Sequence, residues 1–117
     1  MYKGFEDLEV WKLSMELSVQ VFKFISAHFN RYHPLVDQIT RSAISVPSNI
    51  AEGHERGTNP DFKRFLHISK GSNAELKTQL ILLTNILPSD HKLEIDEMIK
   101  KSDSISKMLY RLIQTLK

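Results

Sequence analysis

The positions Leu8, Trp11, Met15, Ser18, Phe22, Ile25 and Phe29 advance by alternate steps of three and four, and all but Ser18 are apolar. Such steps stack side chains along one face of a 3.6-residue helix and would scatter them over both faces of a strand. The spacing therefore predicts a helix from about Asp7 to Phe29. Val10, Leu13, Leu17, Val21 and Phe24 form a second apolar stripe beside the first, while Glu9, Lys12, Glu16, Gln20 and Lys23 hold the remaining, solvated face. An apolar surface this wide must touch more than one neighbour.

The rhythm returns three times. Val36, Ile39, Ala43, Val46 and Ile50 predict a second helix from Pro34 to about Glu52, with Pro34 at a first position that needs no N–H. Pro47 falls inside this helix and cannot donate to the Ala43 carbonyl, so a kink is expected there, with Ser45 or Ser48 satisfying freed groups. Gly53 is expected to stop the helix in the left-handed conformation. Asn59, Pro60 and Asp61 have the order of an N-cap, a first-position proline and a first-turn acid, and open a third helix. Its seam is Phe62, Leu66, Ser69, Leu76, Leu80, Leu83 and Leu87, and Gly71 and Ser72 are small enough in mid-helix to permit close approach of a neighbour. After Pro88 and Ser89, the positions Ile95, Met98, Ser102, Ile105, Leu109, Leu112 and Leu116 give a fourth. Short loops join antiparallel neighbours. The expectation is an all-α, antiparallel up-down-up-down four-helix bundle, with residues 1–117 as a single domain.

Several function classes drop out at this level. The chain has no cysteine, which removes thiol nucleophiles, disulfides and cysteine-bound zinc. Di-iron bundles need Glu-x-x-His pairs, but the residues three before His28, His33, His54, His67 and His91 are Ile25, Asn30, Ala51, Arg64 and Pro88. No phosphate-cradling glycine motif, Gly-x-Ser-x-Gly elbow or His-Glu-x-x-His occurs. A non-enzymatic protein is expected, without catalytic residues, metal or cofactor. No apolar run is long enough to span a bilayer and the first residues lack the core of a secretory signal, so a cytoplasmic protein with no membrane partner is expected.

Two groups of polar residues carry the candidate chemistry. Gln38, Arg41, Ser42, Asn49 and Glu52 on the second helix, with Ser72 and Glu75 on the third, form a candidate buried cluster in which Arg41 meets Glu75. Such a cluster either fixes helix register through paired buried groups or forms a polar pocket for a small anion or peptide. The second group is basic. Residues 1–58 hold six Lys or Arg against seven acids, whereas residues 59–117 hold ten against seven. Lys63, Lys70 and Lys77, with His67, share a face of the third helix, and Lys100, Lys107 and Arg111 a face of the fourth. These faces are either ordinary solvated surface or a phosphate-binding stripe.

The runs Gln38-Ile39-Thr40-Arg41-Ser42 and Ser45-Val46-Pro47-Ser48-Asn49-Ile50-Ala51-Glu52-Gly53, followed by Phe62, Phe65-Leu66, Gly71-Ser72 and Glu75-Leu76, resemble the bacterial four-helix-bundle proteins encoded within 23S ribosomal-RNA intervening sequences. The opening Phe5-Glu6-Asp7-Leu8-Glu9-Val10-Trp11 is similar to that family's start. The resemblance implies a bacterial cytoplasmic bundle, commonly a homopentamer. It also implies kinship with the accessory variability protein of diversity-generating retroelements, which binds nucleic acid and a reverse transcriptase. The formal charge of this chain is only +2.

Residues and resemblance together lead to a homo-oligomer, five subunits preferred, that binds RNA or DNA backbones and a protein partner. A protein-only scaffold and a small-molecule-binding bundle are the alternatives.

Overall fold

A computed structural model describes residues 4–117. Four helices follow in order: α1 (Glu9–His28), α2 (Pro34–Glu55), α3 (Asn59–Ile86) and α4 (Lys92–Thr115), with short 3₁₀ turns at Phe5–Asp7 and Ser89–His91. α3 has 28 residues, a length of roughly 42 Å at 1.5 Å per residue. It spans almost the whole 45 Å long axis of the molecule.

The cross-helix contacts define the topology. Ser45 and Ser72 are hydrogen-bonded, as are Val46 and Ser69, so α2 and α3 run in opposite directions. Lys77 pairs with Asp103 while Lys70 lies over Tyr110, which sets α4 antiparallel to α3. Lys101 reaches Glu16 and Gln20, and His91 meets Phe24 and His28, so α4 also runs antiparallel to α1. This is the up-down-up-down bundle that the periodicity predicts. Leu17, Val21, Ile39, Ile50, Leu66, Leu80, Met98, Ile105 and Leu109 form one shared core.

Helix ends differ from the expected ones for local reasons. α2 runs through Pro47 and on to Glu55, with Gly53 inside it and buried. A Cβ at Gly53 would lie 2.5 Å from the Phe65 Cβ and 3.3 Å from the Phe62 carbonyl oxygen, so this glycine serves close packing of α3 and not a helix stop. Among the described residues the left-handed conformation falls on Gly57, at φ 85°. The N-cap of α3 is Thr58, whose hydroxyl accepts from the Asp61 N–H, and Asn59 is already helical. Gly71 is exposed, and a Cβ there would meet nothing, so it serves no helix contact within the chain.

On α1 the inward face combines Leu17, Val21 and Phe24 with Ser14, Ser18 and Ile25. Met15, Val19 and Phe22 remain outside at 38%, 48% and 42% exposure. The width of the apolar pattern thus exceeds what one bundle covers.

Candidate nucleic-acid interface

The basic groove lies between α3 and α4. α3 carries no carboxylate from Phe62 to Ala74, and α4 carries none from Ser104 to its end. Antiparallel packing brings these two acid-free half-helices to the same end of the bundle. Each is held against its neighbours by apolar residues on its inner face, Leu66 and Phe65 on α3 and Ile105 and Leu109 on α4, which leaves the basic residues facing outward.

Lys70, Lys107 and Arg111 line one concavity of about 360 Å³ with Ser106 and Tyr110. The Lys70 ammonium lies 5.8 Å from the centroid of the Tyr110 ring, and Tyr110 as a residue is 56% exposed. Three cations, a hydroxyl and an aromatic face share this groove with no carboxylate among its lining residues. Lys63 lies two turns N-terminal to Lys70 on the same side of α3 and is partly exposed. Charge alone does not single out Tyr110 and Ser106. Their signal in the sequence is the spacing Ser106, Lys107, Tyr110, Arg111, which confines all four to one flank of α4.

The other basic residues stand apart. Lys77 donates to Asp103 at 2.7 Å, both side chains being nearly half exposed, so its charge is largely compensated. Lys100 is exposed and does not line the groove.

The expected polar cluster divides between interior and surface. Ser42 and Ser72 are buried and Asn49 is partly buried. Ser72 and Ser45 share a hydrogen bond of 2.8 Å, and Asn49 donates to the Ser45 hydroxyl and carbonyl. Gln38, Arg41, Glu52 and Glu75 are exposed. Arg41 does not meet Glu75; it pairs with Asp37 one turn back on the same helix at 3.3 Å, where both side chains are more than three-quarters exposed. Glu52 pairs with Arg56, the residue that caps the end of α2, and that hydrogen bond raises the Arg56 pKa above its ordinary value. Arg41, Glu52 and Glu75 stay at the surface because water solvates a charge more cheaply than a buried partner would, and the Gln38 amide is likewise left to solvent.

The buried polar lock lies elsewhere. Asn73 donates to the Ser102 carbonyl at 2.8 Å, and the Ser102 hydroxyl donates back to the Asn73 side-chain oxygen at 3.1 Å, both residues being fully enclosed between α3 and α4. Among the described residues no cluster of three or more His, Asp or Glu side chains is arranged to hold a metal, and no helix is long and apolar enough to cross a membrane. A cleft of about 570 Å³ lies at the α1–α2 turn and is walled by Phe22, Phe29, Tyr32 and Val36.

A bundle of this topology with a basic flank defines an all-helical, four-helix class of protein. The chain belongs to the 23S rRNA-intervening sequence protein family, whose pattern it matches over residues 6–111. Its structure is similar to that of a protein of unknown function from the S23 ribosomal protein family of Bacteroides thetaiotaomicron, with a TM-score of 0.76 and 25% identity over 89% of this chain and 97% of that one. No curated protein matches the chain.

Proposed function

We propose that this protein is a non-enzymatic, homo-oligomeric binder of nucleic-acid backbones that uses the acid-free halves of α3 and α4. The observation that carries this reading is the groove in which Lys70, Lys107 and Arg111 surround Tyr110 and Ser106 with no carboxylate among them. Phosphate contacts of this kind position a polyanion without reading its sequence, so selectivity among sequences is low. One subunit offers few cations. A pentamer would repeat the groove five times and raise the formal charge from +2 to +10, so that several weak contacts act on one strand. Met15, Val19 and Phe22, exposed on one flank of α1, supply apolar surface for such assembly. The cytoplasm, and a protein partner beside the nucleic acid, complete the reading.

The test is fluorescence anisotropy of labelled RNA and DNA titrated with the protein over a salt series. Binding at about 50 mM salt that weakens steeply toward physiological salt is expected. No binding at the lowest salt would overturn the reading and leave a protein-only scaffold.

A further inference from the structure

We propose that the α3–α4 groove takes single-stranded nucleic acid, with one base stacked on the exposed face of Tyr110 and the flanking phosphates on Lys107 and Arg111. This rests on the backbone-binding reading above and adds strand selectivity to it.

An exposed tyrosine alone carries no such weight, because scattered apolar side chains are common on protein surfaces. Tyr110 differs in its surroundings. It stands in the same concavity as Lys70, Lys107 and Arg111, one residue from Arg111 and three from Lys107. The Lys70 ammonium approaches the ring from the α3 side, 5.8 Å from its centroid, while more than half of the residue remains open to solvent. A duplex keeps its bases stacked on one another and offers the groove only phosphates, sugars and edges, so the ring gains little from it. An unpaired base has a free π-face, and stacking on an aromatic side chain tolerates any base. The cations then hold the phosphates on either side of that base. Ser106 adds a hydroxyl on the same wall that can bond a phosphate or sugar oxygen.

The experiment compares a short labelled RNA of mixed sequence, a DNA of the same sequence, and each as a duplex with its complement, against the parent protein, Tyr110→Leu, Tyr110→Phe and the Lys107→Gln/Arg111→Gln double variant. Circular dichroism confirms that each variant is folded, which exposed positions permit. The parent should prefer single strands. Tyr110→Leu should lose single-strand affinity by roughly 5- to 150-fold, the range of one base stacked on an aromatic ring. Its duplex affinity and its salt slope should stay at parent values, and Tyr110→Phe should keep the preference. The double variant should weaken both strand types and flatten the salt slope. Equal affinity of the parent for single strands and duplexes, or a Tyr110→Leu variant within twofold of the parent on single strands, would overturn the stacking proposal alone. Absence of binding to every probe would overturn the backbone-binding reading with it.

Discussion

Ser18 on α1 donates its hydroxyl to the Ala43 carbonyl on α2 at 2.7 Å, and Ala43 is the residue four before Pro47. In an unbroken helix that carbonyl would accept from the N–H of residue 47, which proline lacks. The donor removed by Pro47 is thus replaced from the neighbouring helix, at a buried site, by a residue in the apolar rhythm of α1. The hydrogen bond ties the two helices at a definite register.

Loss of that donor leaves a buried carbonyl without its partner, so Ser18→Ala should cost about 1–3 kcal/mol in denaturant melts. A Pro47→Ala background restores a backbone N–H within α2 and should reduce that cost by more than half. Equal costs in the two backgrounds would show that Ser18 contributes through packing only.

Gly53 in the last turn of α2 and Gly71 in the middle of α3 should respond in opposite directions. Gly53→Ala drives a methyl group into Phe65 and the α3 backbone, and overpacking of this kind costs typically about 1–3 kcal/mol. Gly71 is exposed with open space around its Cβ position, so Gly71→Ala should stabilise by about 0.5–1 kcal/mol through the helix preference of alanine. Thermal melts of both variants check the pair. A destabilised Gly71→Ala would mean that something outside the single chain approaches that position.

Periodicity made the helices and most of the core legible, because burial in a bundle follows the three-four step directly. It also brought the sequence near the α3–α4 groove through Lys70, Lys107 and Arg111. What it could not resolve was depth. Arg41 and Glu75 lie on facing helices, but the packing leaves both on the outer edge, where Arg41 pairs with Asp37 at little net gain. Arg41→Ala is accordingly expected within about 0.5 kcal/mol of the parent. Asn73 is illegible in sequence for the converse reason: an amide in an apolar seam reads as an interruption until its partner, Ser102, is known from another helix. Gly53 resembles a helix stop in sequence because the need for close approach comes from Phe62 and Phe65, outside its own helix.

Assembly can be checked apart from binding. Phe22 is 42% exposed on the same flank of α1 as Met15 and Val19, so Phe22→Lys should shift the mass measured by light scattering from a closed oligomer, five subunits preferred, toward monomer. Its helical content should remain that of the parent. A parent protein that is monomeric at micromolar concentration would refute the assembly.

Charge replacement separates the groove from the rest of the basic surface. Lys70, Lys107 and Arg111 line one acid-free concavity, whereas Lys77 is paired with Asp103 and Lys100 stands outside. Each phosphate neutralised on a single strand contributes about 0.7 to the slope of log affinity against log salt. Lys70→Gln/Lys107→Gln/Arg111→Gln should therefore reduce the magnitude of that slope by about 2 per engaged groove if all three cations meet phosphate. The Lys77→Gln/Lys100→Gln pair changes the net charge by two, close to the three of the groove variant, but should leave the slope nearly unaltered. A slope that follows net charge irrespective of which residues are replaced would mean diffuse attraction to the whole surface, and would remove the groove from the mechanism.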